Sequence, residues 1–159
     1  MVSLQGALAG GFIGTLVLTT GLRAATELRL TRIDLPFLLG TAFTADRKRA
    51  RALGYALHFL FGFLFAGLYY LVFEGLDEAS WWLGSLLGVV HALFSATALV
   101  SVLLPLVHPR MGTPFSAADS APLLEPPGFM LLNYGASTPL VMLLTHIIYG
   151  TIVGAAAST

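Results

Sequence analysis

Residues 52–73 read ALGYALHFLFGFLFAGLYYLVF and decide the class of fold. The stretch contains no Asp, Glu, Lys or Arg. It has the length that an α-helix needs to cross a bilayer, about 20 apolar residues. Three further stretches of this kind occupy residues 4–22, 81–104 and 137–157. The sequence therefore predicts an all-α integral membrane protein, a four-helix bundle formed by one domain over residues 1–159.

The composition is typical of a membrane protein. Hydrophobic residues make up 57% of the chain and charged residues 10%, and the mean hydropathy is +0.85. The net charge is zero, so the lipid bilayer, and no nucleic acid, is the expected partner. Cysteine is absent, which excludes disulfides and thiolate metal sites. The first arginine, Arg23, follows the first stretch, so we expect a retained helix and not a signal peptide.

The charges outside the four stretches predict an orientation. The short connection between the second and third stretches carries only the acids Glu74, Asp77 and Glu78. The basic residues all lie in the two long connections: Arg23, Arg29, Arg32, Arg47, Lys48, Arg49, Arg51 and Arg110. The positive-inside rule then places both long loops in the cytoplasm and both termini outside. An aromatic belt is expected at the outer interface from Tyr69, Tyr70, Trp81 and Trp82.

Both long loops contain apolar segments. Leu35-Pro36-Phe37-Leu38-Leu39 lies beside a basic run and predicts a short amphipathic helix in the headgroup plane. The acids Glu27 and Asp34 are expected to pair with neighbouring arginines. The second loop, rich in proline around Pro114 and Pro122, ends in an apolar run over residues 128–132. That run is either a surface-lying or re-entrant segment, or part of a flexible tether.

The two halves of the chain resemble each other. The second stretch has His58, Gly62 and Ala66 at four-residue spacing, and the fourth has His146, Gly150 and Gly154. Two further matches occur in the same order: Gly6, Gly10 and Thr19 with Gly84, Gly88 and Thr97, and Gly40-Thr41-Ala42-Phe43 with Gly112-Thr113-Pro114-Phe115. This pattern predicts two repeated αα hairpins related by a pseudo-two-fold axis along the membrane normal.

Small residues recur at four-residue spacing in every stretch. Such stripes let helix backbones approach closely inside a bilayer, where apolar side chains alone do not hold helices together. The residues expected to serve helix packing are Gly6, Gly10, Gly14, Gly62 with Ala66, Gly84, Gly88, Gly150 and Gly154. The stripes could pack within this chain or against a different chain.

Three histidines within the stretches are the candidate site residues: His58, His91 and His146. An ionisable group in a membrane helix indicates function, because its burial is costly. Three hypotheses stay open: neutral rings hydrogen-bonded to backbone carbonyls or to Thr and Ser side chains, binding of a metal or a b-type haem, and relay of protons or solutes. The Thr and Ser residues available as partners are Thr19, Thr20, Ser95, Thr97 and Thr145.

Several short motifs resemble those of YagU-like proteins, uncharacterised small four-span proteins of the bacterial inner membrane. The motifs are Arg32-Ile33-Asp34-Leu35-Pro36, His58-x-x-x-Gly62, His108-Pro109-Arg110-Met111-Gly112 and His146-x-x-Tyr149-Gly150. The resemblance implies a location in the bacterial cytoplasmic membrane. It implies no particular activity.

The leading functional hypothesis is a small accessory or scaffold subunit without catalytic activity of its own. It would pack against other membrane-protein subunits through its glycine faces or associate with itself, and would need no cofactor. The alternative is a histidine-lined subunit that binds haem or metal and transfers electrons, or a small carrier of protons or solutes. Nucleotide-binding, zinc-protease and serine-hydrolase motifs are absent from the sequence.

Overall fold

The computed structural model describes residues 1–111 and 124–158, and within these ranges the protein is helical and contains no β-strand. Its α-helices are α1 (Leu4–Glu27), α2 (Leu35–Thr41), α3 (Arg47–Leu76), α4 (Trp81–Phe94), α5 (Leu104–Val107) and α6 (Thr138–Ala157). A π-helical segment, Ser95–Leu103, joins α4 to α5, and a short 3₁₀ segment, Phe129–Tyr134, precedes α6. The predicted all-α class is confirmed.

Four helical segments are long and apolar enough to cross a membrane: Leu4–Glu27, Arg47–Leu76, Trp81–Val107 and Thr138–Ala157. They confirm the four predicted stretches and a multi-pass membrane protein. The first three are longer than predicted: α1 and α3 continue into sequence that carries charged residues, and the third span continues through Pro105 to Val107. Asp46, for example, caps α3 by accepting a hydrogen bond from the Arg49 backbone N–H, so four basic residues belong to its first turns.

The four long helices pack in the order α3–α1–α6–α4. Helix α6 lies between α1 and α4, and α3 packs against α1 and α2. The backbones of α3 and α4 stay apart, and side chains such as Phe65 and His91 fill the space between them. The bundle therefore has one wide seam, between α3 and α4.

The predicted glycine stripes lie at the close contacts between helices of this chain. A Cβ atom on Gly84 would overlap the carbonyl oxygen of Gly150, and one on Gly88 would overlap that of His146. On the other side of α6, a Cβ on Gly6 would overlap the carbonyl oxygen of Ala156. Gly10 faces Val153 and Ala156, Gly14 faces Tyr149, Gly62 faces Thr15, and Gly154 faces Ser80 and Gly84.

Helix α2 forms where the sequence predicted a short helix, but it packs on protein. Asp34 caps it by accepting a hydrogen bond from the Phe37 backbone N–H at 3.0 Å. Gly40 lies against the backbone of Ala50, and Gly54 of α3 lies against the backbone of Pro36. These two glycines allow α2 to lie directly on α3. The expected pairing of Glu27 is confirmed, since its carboxylate lies 2.6 Å from Arg23.

The predicted repeat stays a prediction. A two-fold relating the hairpins would make the α4–α3 contact equivalent to the α1–α6 contact. In the structure α1 and α6 pack closely, whereas α3 and α4 do not. The loop part of the predicted repeat, with Gly112 to Phe115, and the prolines Pro114 and Pro122 lie outside the described residues.

Candidate functional site

A cavity of about 200 Å³ lies in the wide seam between α3 and α4. It brings together the three candidate histidines, which come from three different helices: His58 from α3, His91 from α4 and His146 from α6. All three side chains are buried. The other lining residues are Thr15, Leu18, Leu35, Leu39, Phe61, Gly62, Phe65, Ser95, Leu99, Val100, Leu103, Leu104, Val107 and Tyr149.

The ring of His58 is oriented by α1. Its Nδ1 lies 3.1 Å from the Thr19 hydroxyl, which lies 2.6 Å from the Thr15 carbonyl oxygen. A carbonyl oxygen only accepts hydrogen bonds, so the one hydroxyl proton of Thr19 is donated to Thr15. His58 must then donate from Nδ1 to Thr19. A neutral His58 therefore carries its proton on Nδ1, and its Nε2 is bare, meaning that it has no proton and can only accept a hydrogen bond.

The ring of His146 is oriented by its own helix. Its Nδ1 lies 2.7 Å from the carbonyl oxygen of Met142, one turn earlier. Because that oxygen cannot donate, Nδ1 carries the proton here as well, and Nε2 of the neutral ring is bare. His58 and His146 thus present the same tautomer.

His91 is held by aromatic side chains. Its ring stacks on Phe65 with centroids 3.7 Å apart, and Nδ1 lies 3.4 Å from the Tyr69 hydroxyl. It also meets His146 edge to face, with centroids 4.6 Å apart. His91 and His146 therefore form a pair of contacting rings in the wall of the cavity, which His58 also lines.

The Nε2 atoms of His58 and His146 have no hydrogen-bond partner within residues 1–111 and 124–158. In the same ranges, every fully buried side-chain nitrogen or oxygen has a partner. These two Nε2 atoms are therefore accessible, and both rings line the cavity. Among the described lining residues, the cavity thus holds these two hydrogen-bond acceptors together with the Ser95 hydroxyl and the His91 ring, in a wall formed mostly by apolar side chains.

The hydrogen-bonding hypothesis for the histidines is met at His58 by Thr19. The other Thr partners considered, Thr20, Thr97 and Thr145, donate to carbonyl oxygens of their own helices. Ser95 lines the cavity. No contact to a Thr or Ser hydroxyl satisfies His146 or His91 among the described residues.

Two tyrosines belong to the site although the sequence analysis did not place them there. Tyr149 is 1% exposed and donates from its hydroxyl to the Gly62 carbonyl oxygen at 2.6 Å, which ties α6 to α3. Tyr69 was predicted for the outer aromatic belt, and that prediction is wrong. Tyr69 shares the buried face of α3 with Ala66 and Phe73 and contacts His91. Trp81 and Trp82 are exposed.

The cavity is partly open, and its exposed lining residues lie on the π-helical segment and α5. Leu103 and Val107 line it and are 47% and 76% exposed, on a surface formed by apolar side chains. The wall on this side belongs to the π-helical segment and α5. π-helical turns occur frequently at functional sites.

Within the described ranges, the geometry does not support a metal ion held by all three histidines, or a haem iron held between His91 and His146. No group of three or more His, Asp or Glu side chains in the described ranges is placed to hold a metal ion. Two imidazoles bound to opposite sides of one metal keep their nitrogens about 4 Å apart, so their ring centres lie well beyond that. The His91 and His146 centroids lie 4.6 Å apart. A haem macrocycle also exceeds the cavity, which is smaller than the roughly 300–1,000 Å³ of drug-sized sites.

The fourth histidine, His108, lies outside the cavity and joins α5 to α2. Its Nε2 lies 3.1 Å from the Leu38 carbonyl oxygen, and its Nδ1 accepts from the Arg110 backbone N–H at 3.1 Å. The Arg110 guanidinium donates to the Thr41 carbonyl oxygen at 2.6 Å. We call these contacts the His108 latch. Burial lowers the pKa of His108, against a smaller opposing effect of the hydrogen bond to Leu38.

No protein-family model, curated protein or solved structure matches the chain. The resemblance to YagU-like proteins thus stays a prediction that rests on short motifs. The chemistry of the cavity is the observation that bears on function.

Proposed function

We propose that this protein binds a small lipid-soluble molecule in the histidine-lined cavity and serves as a binding or carrier protein of a bacterial cytoplasmic membrane. The observation that carries the proposal is the convergence of His58, His91 and His146 from three helices on one apolar cavity. A pocket of this kind, apolar with a few convergent polar groups, is the usual form of a small-molecule site. Ionisable side chains in membrane helices are typical of such sites.

The size of the cavity supports a ligand with one ring or a similarly small head. A buried apolar cavity of about 150 Å³ accommodates benzene, and this one measures about 200 Å³. An alkyl or prenyl tail would leave through the opening at Leu103 and Val107. A ligand of this shape would enter directly from the bilayer.

The proposed orientation follows the charges. The basic residues around Arg47 and Arg110 would face the cytoplasm, and the termini and the α3–α4 connection would face outside. The opening of the cavity would then lie on the cytoplasmic half of the membrane, because Val107 and α2 are at that end of the bundle.

The accessory-subunit hypothesis stays a prediction. The glycines expected to contact other subunits face neighbouring helices of this chain. A partner protein would have to use another surface, whereas the cavity needs no partner. This favours the binding function.

Two tryptophan variants test the proposed site. Leu99 lines the cavity, whereas Leu93, on the same membrane span, is exposed and lies outside it. We expect 4-heptylphenol to stabilise the wild-type protein and the Leu93→Trp control, but not Leu99→Trp, in which the indole fills the cavity. At 100 times the Kd the gain is about 2.7 kcal/mol, or roughly 5–10 °C in Tm for a chain of this size.

The measurement is a thermal unfolding curve in lipid nanodiscs with and without the phenol. Equal stabilisation of the wild type and Leu99→Trp would place binding elsewhere. No stabilisation of the wild type by 4-heptylphenol or by heptylbenzene would reject the cavity as a binding site.

A further inference from the structure

We infer that the cavity favours a neutral ligand that carries O–H donors, so that a membrane-soluble hydroquinone or phenol binds more tightly than the corresponding quinone. This inference rests on the proposed binding function and names its ligand class. It follows from the two bare Nε2 atoms of His58 and His146, which accept hydrogen bonds and offer none.

Hydrogen bonds to the protein favour this tautomer at both rings. If His146 moved its proton to Nε2, the bare Nδ1 would face the Met142 carbonyl oxygen at 2.7 Å, with two acceptors opposed. If His58 did so, Thr19 would have to abandon the Thr15 carbonyl oxygen at 2.6 Å to donate to the ring. The first change sets two acceptors against each other, and the second breaks a short hydrogen bond, so both are unfavourable. Both rings thus stay acceptors towards the cavity.

A quinone carries only carbonyl oxygens towards these acceptors. Its oxygens can accept from the Ser95 hydroxyl, but they cannot bond to the two Nε2 atoms, which then stay unpaired. A hydroquinone with the same ring carries two O–H groups that can donate to Nε2. Sites built to bond a hydroxyl discriminate strongly against the analogue without it, because their own polar groups are left unpaired.

The wall of the cavity narrows the class further. Phe61, Phe65 and Tyr149 offer aromatic surface to a ring, and the lining residues within 1–111 and 124–158 include no Asp or Glu. Burying an ammonium without a counter-charge is expensive, so an amine is a poor ligand here. The leucines towards the opening, Leu99, Leu103 and Leu104, suit an alkyl or prenyl tail.

The test compares decyl-hydroquinone with decyl-quinone carrying the same ring substituents. The protein is held in lipid nanodiscs, without oxygen and with a reductant for the first compound, and equilibrium binding of the radiolabelled compounds is measured. We expect the hydroquinone to bind at least about tenfold more tightly. Equal binding, or tighter binding of the quinone, would overturn the inference while leaving the proposed binding site intact.

A glutamine variant checks the cause. His146→Gln presents an amide with both a donor and an acceptor, so the preference for the hydroquinone should fall about tenfold or disappear. The control His108→Gln lies outside the cavity and should keep the wild-type preference. An unchanged preference in His146→Gln would show that the histidine does not set it.

The two failures can be told apart. If neither compound binds, and 4-heptylphenol and heptylbenzene also leave Tm unchanged, the proposed site itself fails and the two Nε2 atoms face only water. If heptylbenzene or the phenol binds in the cavity but the hydroquinone shows no preference over the quinone, the selection by O–H donors is wrong.

Discussion

His58 and His146 each use one ring nitrogen to fix their orientation and leave the other to the cavity. The sequence identified both residues, because an ionisable side chain in an apolar helix is conspicuous. It could not identify what orients them. The partner of His146 is a backbone carbonyl oxygen, which every residue carries, and Tyr149 joins the site through gaps left by Gly11 and Gly14.

The hydrogen bond from His58 to Thr19 predicts a difference between two adjacent threonines. Thr19→Val removes the acceptor and leaves the buried Nδ1–H unpaired, so it should cost about 1–2 kcal/mol and lower Tm by several degrees. Thr20→Val is the control. Thr20 is exposed and bonds only to the Leu16 carbonyl oxygen of its own helix, so a change within about 0.5 kcal/mol is expected. Equal decreases of Tm in Thr19→Val and Thr20→Val, measured by thermal unfolding, would exclude a special role for Thr19.

The His108 latch predicts a dependence of stability on pH. Burial lowers the pKa of His108 in the folded protein below its usual value of 6.5, so the unfolded chain takes up a proton first as the pH falls. The stabilisation by neutral His108 is complete above about pH 6.5 and decreases below it. Protonation of His108 on Nδ1 would also break the hydrogen bond that Nδ1 accepts from the Arg110 backbone N–H, because two N–H groups would then face each other.

The matched variant is His108→Gln, which cannot titrate. Between pH 7.5 and 5.0 the Tm of the wild type should fall relative to that of this variant. Parallel curves of Tm against pH for the two proteins would mean that His108 does not contribute to the pH dependence of stability. The difference in Tm between the two proteins at each pH removes the contributions of the other titratable groups, which both proteins share.

At the scale of the helices, length and hydropathy were sufficient to predict the four spans. They did not predict the helix ends, because the cap at Asp46 lets α3 begin four basic residues earlier than its apolar stretch. They also did not predict the π-helical segment, because its residues are as apolar as those of an ordinary α-helix. Tyr69 was misplaced for a related reason. The sequence indicates how deep Tyr69 lies in the membrane, but it does not indicate which face of α3 the side chain occupies. That face is buried or exposed according to which helices pack against α3.

The contact between α4 and α6 depends on glycines that leave no space for a side chain. In Gly150→Ala the new Cβ would overlap the carbonyl oxygen of Gly84, so the helices must separate, at a cost of about 1–3 kcal/mol. Gly67→Ala is the matched control. A Cβ there meets nothing within 4 Å among the described residues, and alanine should stabilise α3 by about 0.5–1 kcal/mol. Opposite signs of the two Tm changes are expected, and a loss in both would contradict this account.

For the whole molecule, the order α3–α1–α6–α4 could not be predicted from the sequence. Four apolar helices without charged residues in their interiors fit together in several orders, and the predicted pseudo-two-fold would have placed α3 and α4 in contact. The observed order instead leaves the seam that contains the cavity. The site therefore arises from an asymmetry that the matching motifs of the two halves conceal.

The orientation in the membrane can be tested in whole cells because the chain has no cysteine. Single cysteines at three exposed positions, Glu78→Cys, Ser158→Cys and Lys48→Cys, report on three parts of the chain. A membrane-impermeant maleimide should label the first two in intact cells, because the acidic α3–α4 connection and the C-terminus face outside. Lys48→Cys, among the basic residues of α3, should be labelled only after permeabilisation. The reverse labelling pattern would invert the proposed topology and place the cavity opening in the outer half of the bilayer. Labelling of Glu78→Cys and Lys48→Cys from the same side would show that α3 does not span the membrane.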